Sequence, residues 1–70
     1  MNKLREYRRR AGLPQDVLAR KARVSLRTIW LWEAYNLPPK RWESIQRVAA
    51  VLGVQPEELV DDENEHGGER

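Results

Sequence analysis

Apolar residues recur along the chain at intervals of three and four, and the residues that break helices fall between these sets. Leu4, Tyr7 and Ala11 form a first stripe, with Asn2 placed to cap it and Gly12 placed to end it, which predicts a helix from Asn2 to Ala11. A second helix is expected to open on Pro14, since a first helical position has no use for the N–H that proline lacks, and to turn Val17, Leu18 and Ala22 inward. A third begins near Ser25, a residue type suited to an N-cap. The Pro38-Pro39 pair makes a stiff, non-helical linker, after which Trp42, Ile45, Val48, Ala49 and Leu52 trace a fourth stripe that Gly53 stops. In Gln55-Pro56-Glu57-Glu58-Leu59 the proline and the acids sit where a helix start favours them, which predicts a short fifth helix. Strand signals are few, so the fold class is all-α with five helices.

The third helix separates into two faces. At about 100° per residue, Ser25, Ile29, Trp32 and Glu33 lie on one side, while Arg27, Trp30, Leu31 and Ala34 lie on the other. The first side is expected to be core, with Trp32 packing beside Ile29. Glu33 is then a charge on an apolar face, and Arg8, one turn from Leu4, is another. The economical account is that they pair.

Seventy residues allow one small domain with one modest core. Cysteine is absent and there is one histidine, so neither a disulfide frame nor a zinc site is expected, and helix packing must hold the chain together. The N-terminus is polar and basic, with no likeness to a signal peptide, and no apolar run approaches the roughly 20 residues of a membrane span. A cytoplasmic protein without a membrane role is the expectation. The net charge of +2 hides an asymmetry. Residues 1–60 carry 12 Lys and Arg against 6 Asp and Glu, whereas residues 61–70 carry 1 against 5. That division predicts a basic folded domain over 1–60 and an acidic, disordered tail over 61–70, which has nothing apolar to bury. The basic part, with Arg5, Arg8, Arg9, Arg10, Arg20, Lys21, Arg23, Arg27, Lys40, Arg41 and Arg47, suits a polyanion.

From Gln15 to Glu33 the sequence QDVLARKARVSLRTIWLWE reads as two short helices joined by a tight turn, a helix-turn-helix. The spacing of Leu18-Ala19, Val24-Ser25, Ile29 and Trp32-Glu33 resembles the DNA-binding domain of the Xre/Cro and lambda-repressor-like regulators, over about Leu4 to Val60. The resemblance implies a five-helix lambda-repressor-like domain that binds double-stranded DNA, with the third helix in the major groove. It implies that Gln15 bonds a phosphate at the start of the second helix, and that Lys40 and Arg41 touch the backbone where the fourth helix begins. Ser25, Leu26, Arg27, Thr28, Trp30 and Leu31 become the groove-facing set. The resemblance also assigns Arg8 and Glu33 as a partly buried ion pair. Family members commonly form homodimers on two half-sites. Val51, Val54, Leu59 and Val60 would suit either that self-contact or the monomer's own core.

The chain departs from its relatives in places. Pro14 stands where they carry a serine, threonine or asparagine, and no glycine follows Glu33, so Asn36 is the candidate left-handed residue. Where relatives place polar side chains, this sequence has Leu26, Trp30 and Leu31, leaving Arg27 and Thr28 as the polar readers. Those three apolar side chains suit contact with thymine methyls, and an apolar surface of that kind equally suits a protein partner docking on Trp30 and Leu31, which makes an interaction module on the same fold the alternative. An enzyme is not expected: no nucleophile has a base nearby in the pattern, no phosphate loop is present, and His66 lies in the tail. No cofactor is implied. Asp61, Asp62, Glu63 and Glu65 lack the preorganised loop that a calcium site requires, so no metal is expected.

Overall fold

Asn2 starts the first helix and ties it to the third. In the computed structural model, which describes residues 2–60, its side-chain Oδ1 accepts from the Arg5 N–H at 3.1 Å, while Nδ2 donates to the Trp32 carbonyl at 2.8 Å. Helix α1 spans Lys3–Arg10, α2 Gln15–Ala22, α3 Leu26–Tyr35 and α4 Trp42–Leu52, and a 3-10 turn covers Pro56–Leu59. No strand occurs among the described residues. The expected fifth helix is therefore only one 3-10 turn. Pro56 opens it, the Gln55 and Glu58 side chains cap it reciprocally, and the Glu58 N–H closes on the Gln55 carbonyl at 2.9 Å. The acidic tail lies outside the described residues.

Several boundaries differ from the sequence reading by one residue, each for a local reason. Ala11 is the C-cap of α1 and is exposed, so it leaves the stripe expected of it. Pro14 is the N-cap of α2, with extended backbone, and its carbonyl accepts the Leu18 N–H at 3.0 Å. It sits just outside the helix instead of in its first position, and Gln15 takes that place. Likewise Arg41 is the N-cap of α4, and Lys40 precedes it in the loop, so neither begins the helix.

Every element contributes to one core. Leu4 from α1, Leu18 from α2, Ile29 and Trp32 from α3, Val48 from α4 and Leu59 from the 3-10 turn are the largest fully buried side chains. Each is worth ~1.5–3 kcal/mol of burial relative to exposure. Helix α2 packs on both α3 and α4, while α1 rests on α3 and on the 3-10 turn. Leu59 lies within this core, and Val51, Val54 and Val60 are half-buried against it. As the first residue of α4, Trp42 stays 45% exposed, so of the two roles that its spacing to Ile45 and Ala49 predicts, core or dimer interface, the core one is excluded. No helix among the described residues is long and apolar enough to cross a membrane.

Candidate nucleic-acid interface

The turn between α2 and α3 is closed without glycine. Arg23 adopts the left-handed conformation, φ 60°, in which its N–H reaches the Arg20 carbonyl at 3.2 Å and the next N–H, of Val24, reaches Ala19 at 3.0 Å. A non-glycine residue there costs about 1–2 kcal/mol. Arg47 of α4 offsets it by donating from Nε to the Ala22 carbonyl at 3.0 Å and from Nη2 to the Arg23 carbonyl at 3.4 Å. The guanidinium is thus occupied at the negative end of α2, and Glu43 pairs with its Nη1 at 3.3 Å. Arg47 belongs to the turn rather than to a free basic surface.

Helix α3 then starts on Ser25, whose Oγ accepts the Thr28 N–H at 3.0 Å and shares a hydrogen bond of 2.8 Å with the Thr28 hydroxyl. Both hydroxyls are used in the cap. The inner face of α3 sets Ile29 and Trp32 in the core and brings Glu33 beneath α1. There the Arg8 fork meets the carboxylate twice, Nε on Oε2 and Nη2 on Oε1, the latter at 2.9 Å. Its Nη1 donates to the Leu13 carbonyl at 2.9 Å. Gln15 Nε2 donates to Glu33 at 3.1 Å and Arg5 Nε at 3.4 Å. Burial pushes the Glu33 carboxyl up, but the hydrogen bonds from Arg8 and Gln15 and the charge of Arg8 outweigh it and hold the group below its ordinary range. The bond to Glu33 in turn raises Arg8. The sequence pattern indicated two members of this knot; Arg5 and Gln15 complete it.

On the outer face of α3, Leu26 is 48% and Trp30 47% exposed, and Arg27 and Ala34 are exposed beside them. Leu31 is half-buried, so it contributes less to this surface than its position on the wheel implies. The Trp30 ring is held edge-on by Tyr35, with centroids 5.5 Å apart at 75°. Tyr35, Leu37 and Trp42 add exposed apolar surface that the sequence reading missed. Tyr35 lies past the third-helix residues assigned to either face, and Leu37 sits in a loop where periodicity says nothing. Asn36 takes the left-handed conformation that ends α3, φ 57°.

The ion pairs sort the cations. Arg5 and Arg8 meet Glu33, Arg10 meets Glu6 and Arg47 meets Glu43. Among the described residues no ion pair neutralises Arg20, Lys21 or Arg23 at the end of α2, Arg27 on α3, or Lys40 and Arg41 before α4. A basin of about 350 Å³ is lined by Asn2, Arg5, Glu6, Arg9 and Arg10 and includes no residue of α3. No metal-binding cluster of His, Cys, Asp and Glu occurs among the described residues.

Neither a curated protein nor a solved structure matches the chain. A family model described as a helix-turn-helix domain matches residues 2–62, which include all four α-helices and the 3-10 turn. The chain belongs to the helix-turn-helix domain family.

Proposed function

We propose that the chain is a transcriptional regulator of the Xre/Cro and lambda-repressor-like kind that binds duplex DNA by laying α3 in the major groove. The observation that carries this reading is the outer face of α3, exposed among the described residues, with Arg27 on it and cations at the end of α2 and before α4 that no described residue pairs. A major groove about 12 Å wide admits one helix, and base edges there meet the residues that helix exposes. Lys40 and Arg41 supply phosphate contacts. One N–H of the Gln15 amide is bonded to Glu33, which leaves the second for a phosphate at the start of α2. The reading extends to a homodimer on two half-sites, as the resemblance implies.

A second reading has an observation of its own. Leu26, Trp30, Tyr35, Leu37 and Trp42 are all large, apolar and exposed, which also suits a protein partner gripping Trp30 and Leu31.

Selection from random duplexes, with the retained fraction sequenced at two salt concentrations, separates the two. Enrichment of a motif supports groove reading. Retention without a motif, lost at the higher salt, leaves only charge attraction, and no retention favours the interaction module. Alanine at Lys40 or Arg41 should weaken binding to every sequence alike and flatten the salt slope by about 0.9 for each phosphate contact removed. Gln15→Ala should weaken binding uniformly with the slope unchanged, because the amide carries no charge. A changed motif in any of these variants would move the residue from backbone positioning to base reading.

A further inference from the structure

We propose that α3 selects thymine through its 5-methyl group, with Leu26 and Trp30 forming the methyl-contacting surface and Arg27 the adjoining polar contact; this rests on the DNA-binding reading above. The hydroxyls of Ser25 and Thr28 share one hydrogen bond and Ser25 also accepts the Thr28 N–H, so the pair keeps one O–H donor at the start of α3, and both oxygens are held in the cap. Arg27 is the exposed cation of α3, and among the described residues no ion pair holds it.

Leu26 and Trp30 are four residues apart and therefore neighbours on one face, about 40° apart around the axis, with Arg27 roughly 60° beyond Trp30. Both side chains are nearly half exposed. The edge contact with Tyr35 restrains the Trp30 ring, so it presents a formed apolar wall.

Opposite such a wall the four base pairs are not equal. The thymine methyl is the one apolar group in the major groove, whereas guanine N7 and O6, cytosine N4 and adenine N6 lose water there and gain no partner. Every pair has polar edges that lose water there, so discrimination rests on the methyl, which only a T·A pair places under Leu26 and Trp30. Arg27, on the next part of the arc, is placed for the paired hydrogen bond to guanine. The target implied is a short element in which thymines adjoin a guanine.

Deoxyuridine removes the methyl and nothing else. With the duplex obtained by selection, each thymine is replaced in turn by deoxyuridine and binding of the intact chain is measured at one salt concentration. Replacement beneath Leu26 or Trp30 should weaken binding about fourfold per methyl, as expected for one buried carbon. Leu26→Ala should abolish the sensitivity at its own position and leave the salt slope as in the parent. The deoxyuridine measurement uses the unmodified protein, so it stands whether or not a variant folds. If every deoxyuridine duplex binds like its thymine parent while scrambled duplexes still bind worse, methyl selection is overturned and groove reading survives. If no duplex is preferred over a scrambled one, both fall, and docking of a protein on this face takes their place.

Discussion

Arg8→Ala should destabilise the domain by roughly 3–5 kcal/mol, the cost of leaving a buried charge without its partner. For a fold of this size, whose total stability is on the order of 3–9 kcal/mol, that loss is close to the whole. The expectation follows from an unequal pair. The Glu33 side chain is only 1% exposed, whereas that of Arg8 is 14% exposed and has an edge to solvent. Without Arg8 the carboxylate keeps only Gln15 and the longer bond from Arg5, whose side chain is half in water. Glu33→Ala should cost less, because the Arg8 guanidinium can move its charged end outward along an apolar stem. Urea denaturation of both single variants and of the double variant measures this. A cycle with no coupling energy would reduce the contact to coincidence of position.

The same knot sets how the fold answers acid. Glu33 lies below its ordinary value of 4.5 in the folded chain, so its contribution is fully present above that pH and is lost as pH falls through the lower, folded value. In Arg8→Ala burial opposes ionisation with less to balance it. Stability should then decline less on acidification, or rise, because protonation relieves the stranded charge. Glu58 is also held below its ordinary range, by the Gln55 N–H and by the Tyr7 hydroxyl at 2.9 Å. Glu58→Gln in both backgrounds isolates the Glu33 component. Parallel acid profiles for parent and Arg8→Ala would show that Arg8 does not set the Glu33 ionisation.

What the sequence made legible was whatever repeats with the period of a helix. Leu18, Ile29, Trp32, Val48 and Ala49 recur at that period and are core, and Glu33 betrayed its partner by standing among them. Ends of helices were less legible. Trp42 fits the α4 stripe arithmetically but, as the first residue of that helix, stays exposed, and Pro14 is compatible with two adjacent positions. Least legible were contacts between segments distant in sequence. Arg47 on the Ala22 carbonyl and Asn2 on the Trp32 carbonyl depend on how helices cross, which no local spacing encodes. Several arginines that composition offers to a polyanion are committed inside the fold for the same reason.

Alanine at both Arg27 and Trp30 should erase sequence preference while leaving the fold intact. Neither side chain is buried, and α3 keeps its Ser25 cap and its inner face of Ile29, Trp32 and Glu33, so the circular dichroism of the double variant should match the parent. Loss of a paired guanine contact alone removes ~1–3 kcal/mol of discrimination. What remains should be weak, salt-sensitive binding through Arg20, Lys21, Arg23, Lys40 and Arg41, equal for selected and scrambled duplexes. Trp30 also reports directly on contact. Trp32 is buried and silent to an outside ligand, so in a Trp42→Phe background the emission that changes on adding duplex comes from the 47% exposed ring of Trp30. The opposite pattern is equally definite. If the double variant binds the selected duplex like the parent, and Trp30 emission shifts only with a protein that the parent retains and the variant loses, the outer face of α3 is a docking surface and the helix-turn-helix serves as its scaffold.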